Sequence, residues 1–502
     1  MLKMPKQKQF LTDKKKSKHA PTIPETADDY LAAGVNFEEA GEKWRGGDAA
    51  KSTRFFVRAI ECYDEGLEKF PKSFDLAYNK ARVQYELTQH PKLLKQLPGS
   101  LIDLLKTALD SSKYALSLNC ENADVLFNTA QILTSLSENG SELPEGPTPL
   151  HLVQEALRLF QQCLGVQERQ AQASAAQTEE ADSTFAAANE AQSDHTIETE
   201  QSSISLAVES SMDIDEGKEP MQDERWAIIV EPVTNDVLLD TALAQLEALT
   251  QMCGLIVDAH QDAILWIQTY VQDLIETKLQ SYIIGTNRSL EASIARAAFV
   301  SALTNLQFQA CTLSAKTYAD EIRAAYDFEM SNSAEGLCSF AEALMTFNTT
   351  VRFGSNDPNT LDYRWTSLSL ALKYLTSASK IHGADNLAKI HIARGDVEIS
   401  RFQLGQNGWA YKSAVDNKDT LLRNAGKFYV GAKGLAAANG WEEEGFEATL
   451  KGYLAQGLLG DGTAFKAALE QSAKSRRLLT EIVDEGLINT EQLASMGTGI
   501  HI

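Results

Sequence analysis

The chain has 502 residues, 43% apolar and 23% charged, which suffices for two or more folded domains. Its net charge of −23 argues against direct nucleic-acid binding through the body, because such contacts rest on cationic surface. An acidic protein is better matched to basic proteins, and 12 prolines with 8% aromatics suit a helical stack better than a β fold.

Residues 1–26 read as a basic disordered tail. Seven lysines among the first 18 residues face one acid, Asp13. Lys14-Lys15-Lys16-Ser17-Lys18 also has the composition of a nuclear-import signal. No apolar run reaches eighteen residues and no signal-peptide core opens the chain. No membrane contact is expected, and the expected location is cytoplasmic, nuclear or both. The six cysteines lie far apart, without CxxC or metal-ligand spacing. They are expected as small buried hydrophobes in a reducing compartment.

Residues 27–168 are organised around Ala108–Leu133. Ala108, Ser112, Ala115 and Leu116 share one helical face. Asn119 and Asn122 break the helix, and Leu126, Thr129, Ala130 and Leu133 restart one. Small residues at 108, 115 and 130 let two helices approach closely. Upstream, Ala59, Tyr63, Gly66, Leu67 and Pro71 repeat the pattern, with Gly41 and Trp44 on the preceding helix. Downstream, Ala156, Phe160, Cys163 and Leu164 repeat it again. This region resembles the tetratricopeptide repeat (TPR), with Ser112 in place of the usual aromatic and Cys120 in place of proline. Three units are the number such stacks need. The second unit carries an insertion, His90 to Leu105, which Pro91 and Pro98 should confine to a loop and a short helical turn.

Residues 169–225 hold 14 acids against 3 bases, net −11, with one aromatic. Such a segment cannot bury enough apolar surface to offset chain entropy. An acidic disordered linker is expected, helical at most near Gln170. Trp226–Pro232 should be extended.

Residues 226–502 form a C-terminal helical-repeat lobe. Leu238, Leu239, Leu243, Leu246, Leu249 and Cys253 mark its first helix, opening at Thr234-Asn235-Asp236. Further helices are predicted over 258–284, 289–310, 313–329, 333–347, 358–381, 384–403, 409–435, 441–457, 463–483 and 489–495. Residues 386–404 look like one more degenerate unit. The fold class that follows is all-α: a TPR-like helical-hairpin solenoid in two lobes joined by a disordered acidic linker.

Motifs for chemistry are sparse. Gly457-Leu-Leu-Gly-Asp-Gly462 has the glycine spacing of a phosphate loop but lacks the following Lys-Ser/Thr, so a helix–helix turn is expected. The eight histidines form no ligand pair. No catalytic, cofactor or metal site is assigned.

The resemblance implies a concave groove lined by the first helix of each unit. It places Glu38, Glu39 and Glu42 there from the first unit, Tyr78, Asn79, Arg82 and Tyr85 from the second, and Phe127, Asn128 and Gln131 from the third. Acids beside rings suit an extended peptide carrying Lys or Arg. A TPR subclass clamps acidic chaperone C-termini with Lys, Asn and Arg. Here Asn79 matches, but Glu38, Glu42, Asp124 and Asn128 replace the other members, so a carboxylate terminus should be repelled. The expected function is a non-enzymatic protein-binding scaffold, an acidic assembly chaperone or escort for a basic client such as a ribosomal protein. The alternatives are a histone-type chaperone, an adaptor subunit of a larger complex, or an enzyme with a site in the C-terminal lobe.

Overall fold

The computed structural model describes residues 24–140, 147–192, 232–256, 261–354, 358–406 and 410–498, with backbone only over 177–192. The tail's residues 1–23, the loop segment 141–146 and residues 193–231 lie outside them, and with them the expectations for the tail, most of the acidic linker and the extended Trp226 segment. Among the described residues all regular structure is helical, as the periodicity predicted.

The N-terminal elements are α1 (Ala27–Trp44), α2 (Ala49–Lys69), α3 (Phe74–Thr88), α4 (Pro91–Leu94), α5 (Leu101–Leu118), α6 (Ala123–Glu138) and α7 (Pro149–Gln192). Helix starts follow local chemistry. Thr26 and Asp29 close a capping box on α1, Ser100 and Asp103 another on α5, and Asn122 accepts from the Val125 N–H to start α6. The insertion forms α4, with Pro91 in its first turn, followed by a loop at Pro98-Gly99; its last residues extend α5. α7 runs on to Gln192, further than the reading near Gln170.

α8 (Asn235–Leu255) buries Leu238, Leu239, Leu243, Leu246, Leu249 and Cys253, as their spacing predicted. α9 (Gln261–Asp273) passes through a π-helical turn, Leu274–Lys278, into α10 (Leu279–Ile283). Then follow α11 (Ser289–Gln309), α12 (Ala315–Ala325), α13 (Ala334–Gly354), α14 (Thr360–Ala378), α15 (Leu387–Gln403), α16 (Lys412–Asp416), α17 (Lys418–Asn439), α18 (Glu442–Leu458), α19 (Thr463–Gln471), α20 (Ala473–Asp484) and α21 (Thr490–Ser495). The helix predicted over 409–435 is split at Asn417, and the one over 463–483 is split at Ser472, which caps α20.

Consecutive helices pack as hairpins: α1 on α2, α3 on α5, α6 on α7, α13 on α14 and α15 on α17. Each hairpin leaves an apolar face that the next one covers, which is what makes a helical-repeat solenoid. The stack does not pause at the acidic segment. α8 packs on α7, and one apolar core runs from Tyr85 on α3 to Leu306 on α11. Polar ties cross the same junction. Thr241 donates to Gln167 at 2.8 Å, and the Lys278 ammonium sits 2.9 Å from Glu168.

The small residues of the repeat pattern are buried as read. Ala108, Ala115 and Ala130 have no exposed surface, and Ser112 shares a 2.7 Å hydrogen bond with Thr129 across the α5–α6 contact. The cysteines divide. Cys62, Cys163 and Cys253 are buried, and burial pushes the Cys163 and Cys253 thiols up to about 12. Cys120 and Cys311 are exposed, correcting the expectation of burial, because each falls in a turn beyond a helix end.

Candidate functional site

The face assigned to a client is formed by α1, α3 and α6. On α1, Glu38 is buried and accepts from the Tyr63 hydroxyl and the Arg82 guanidinium. Arg82 also lies 3.3 Å from Glu86, one helical turn further along α3. Arg45 pairs with both Glu86 and Glu42. The result is a ladder of alternating charge running Glu38, Arg82, Glu86, Arg45, Glu42. Burial pushes the Glu38 carboxyl up, while Arg82 and Tyr63 pull it down. Glu38 therefore spends its charge inside the fold. Glu39 and Glu42 are exposed.

The rings are not presented. Tyr78 is 1% exposed and Tyr85 3%, which corrects the expectation that they offer faces to a client's Lys or Arg. Tyr78 packs with Ala77, Ala115 and Val125, stacks on Phe74 at 5.8 Å and accepts from the Asn128 amide at 3.1 Å. The Tyr85 hydroxyl meets Ser135 at 2.9 Å and donates to the Gln131 carbonyl at 3.3 Å. Phe127 is buried edge-on to Phe160 at 5.5 Å, and Asn128 is buried beside it. The physical reason is the close approach that the alanines permit, which brings adjacent hairpins within contact of these rings. Asn79 is half-buried and caps the Asp75 carbonyl at 2.8 Å; Gln131 is half-buried. The structure thus gathers the ten residues on neighbouring helices, but as an interface between hairpins with an acidic rim at Glu39 and Glu42.

Sequence reading missed Tyr63, Glu86 and Arg45, which complete the ladder. The i,i+4 pair Arg82–Glu86 was a visible signal. It also missed a second arrangement of the same kind. On α15, Asp396 accepts from the Tyr429 hydroxyl of α17 at 2.7 Å and from Lys451 of α18 at 3.0 Å. Lys451 is 2% exposed and also touches Glu447 at 2.9 Å and Glu485 at 3.3 Å. In both places an acid on one helix takes a tyrosine from the second helix of its hairpin and a cation from the next helix. In both, a glycine makes room for the ring: a Cβ at Gly34 would lie 2.1 Å from Tyr63, and one at Gly395 2.4 Å from Tyr429.

Gly457–Gly462 is a helix–helix turn, as read, with both glycines against Met496. Among the described residues no group of three or more His, Cys, Asp or Glu is arranged to hold a metal ion, and no helix is long and apolar enough to cross a membrane.

No family model matches the chain. UPF0656 protein C926.02 of Schizosaccharomyces pombe is 31% identical over 159 residues, 32% of this chain. The match spans about a third of that protein's own length, 34%. A solved circular tandem repeat protein with novel repeat topology aligns over 94% of this chain and 99% of its own, at 10% identity and a TM-score of 0.31.

Proposed function

We propose that this chain is a non-enzymatic protein-binding scaffold of the tetratricopeptide-repeat type, acting as an acidic escort for a basic client such as a ribosomal protein. The observation that carries this reading is the position of the charge. Residues 169–225 bring net −11 of the chain's −23, and in the chain they stand between the buried half of α7 and the helix packed on it, α8. An acidic segment joined at both ends to the helical stack can screen a basic surface without occupying a groove. The groove's own acids fit a lesser part, since Glu38 is neutralised by Arg82.

The test is affinity capture with the tagged full chain over a salt series, followed by mass spectrometry. Basic proteins should be retained, with retention falling as salt rises and lost when residues 177–222 are deleted. Captured proteins without a basic bias, or retention indifferent to both salt and deletion, would overturn the reading.

A further inference from the structure

We propose that the face of α15 between α14 and α17 is a recognition groove for an acidic, extended segment of a partner protein. This surface has the opposite polarity to the acidic segment and goes beyond the function proposed above.

His391, Arg394, Glu398 and Arg401 recur at spacings of three, four and three, which align them along one face of α15. The Arg394 guanidinium lies over the Phe428 ring of α17 at 4.1 Å and reaches the Ser379 hydroxyl at the end of α14, 3.4 Å away. Arg401 lies over the Trp365 ring of α14 at 4.2 Å, and Trp365 leans on Tyr411 at 5.3 Å. Two guanidiniums thus lie over aromatic rings two turns apart.

Their counter-charge is short. Glu398 is the one acid of the stripe, and it is taken up by Arg401 and by the Asn424 amide, each at 3.0 Å. At the Trp365 end, Asp362 accepts from the Tyr411 hydroxyl at 3.0 Å. Asp396, on the same helix, is occupied by Tyr429 and Lys451. Three nitrogens on this one face, Arg394 Nε, Arg401 Nε and His391 Nδ1, are buried without a hydrogen-bond partner among the described residues. The two Nε atoms have no open surface, so an acceptor from outside would meet the Nη groups, which are not among the buried unpaired atoms. The region has the matching field. Residues 360–440 hold 11 bases and 6 acids, net +5 in a chain of −23, and Lys380, Arg423 and Lys427 are exposed nearby in sequence.

Beside Ser379 and Glu398 the Nη groups of Arg394 and Arg401 keep donors to spare, which can hydrogen-bond a carboxylate. Seven residues of helix separate the two guanidiniums by about 10 Å. In an extended polyproline II segment three residues rise about 9 Å and bring side chains back to one face, so two carboxylates at i and i+3 would meet both arginines. A polynucleotide fits less well, because two recessed guanidiniums do not track a phosphate backbone and the rest of the chain repels it.

The test is fluorescence anisotropy of a labelled twelve-residue peptide with Glu at every third position and Gly or Ser between, added to the full chain at two salt concentrations. Binding should be salt-sensitive, and a peptide of equal composition with its Glu residues contiguous should bind several-fold more weakly. Arg394→Glu and Arg401→Glu should each weaken binding about tenfold or more. Arg394→Lys, which keeps the charge and the fold but loses the guanidinium, should weaken it less but measurably. Lys466→Glu on α19 should leave it unchanged. Equal binding by wild type and Arg394→Lys and Arg394→Glu, or equal loss in Lys466→Glu, would overturn the proposal. Binding more than tenfold tighter to the chain lacking 177–222 would also overturn it, because the occupant would then be the chain's own acidic segment.

Discussion

Two buried triads, Glu38–Tyr63–Arg82 and Asp396–Tyr429–Lys451, show where single side chains decide stability. Removing one partner of a buried ion pair leaves the other charge uncompensated, at a cost of about 3–5 kcal/mol. Arg82→Ala should therefore destabilise the chain by about that much in urea unfolding, where Asn79→Ala, whose amide is half-exposed, should cost far less. The second triad gives a pH signature. Burial holds the Asp396 carboxyl up at about 6, against the pull of Lys451 and Tyr429. A folded-state pKa above the unfolded one, 3.8, means that the contribution of Asp396 is fully present below about pH 4 and is lost as pH rises through about 6. Wild type should lose stability relative to Asp396→Asn between pH 4 and pH 7; parallel urea curves for the two proteins across that range would show Asp396 to be ionised throughout. Neither triad was legible in sequence. Helical period says which residues share a face, as it did for Glu38 and Glu42 or Arg82 and Glu86. It does not say how far the neighbouring hairpin closes, and that distance turned Tyr78 and Tyr85 from a platform into core.

At the scale of the helix, the recurring feature is a small–large–small spacing of zero, four and seven on the second member of a hairpin, with Ser112 in the large place on α5. Ala59–Tyr63–Gly66, Ala108–Ser112–Ala115 and Ala156–Phe160–Cys163 were readable because they recur in one register. The same offsets occur at Ala371–Leu375–Ala378 on α14 and Ala425–Tyr429–Ala432 on α17, all buried. There the register was lost, because α16 and the loops around it alter the distance from one hairpin to the next, and no fixed period ties the units together. Ala115→Leu should force α5 away from Ala77 and Tyr78 and cost about 1–3 kcal/mol. Denaturation indistinguishable from wild type would mean that the site can absorb an isobutyl group, and the close approach inferred from Ala115 would be wrong. Helix positions in the C-terminal lobe were legible to within a few residues, since apolar periodicity and Asn or Ser caps mark them. The π-helical turn at Leu274–Lys278 and the break at Asn417 carried no such mark.

For the molecule as a whole, the sequence separates into a folded body and an acidic stretch that contributes nearly half of its net charge. Deleting residues 177–222 should leave the melting temperature within about a degree or two, because the composition offers little apolar surface to bury. A large loss of helicity by circular dichroism would show that stretch to be structural. What composition did not convey is that the chain on its far side returns to the same stack: no sequence period spans the segment, whereas the contact of α8 with α7 does.

That contact has a consequence for how the protein breaks. A cut in a tether between independent domains releases two particles; a cut here would not. The surface joining α7 to α8 is continuous apolar core with Thr241–Gln167 and Lys278–Glu168 bonds across it. Protease cleavage at a site engineered near residue 200 should leave both fragments eluting together on gel filtration, parting only in denaturant. Separately expressed halves should find each other again, as a split protein regains its whole.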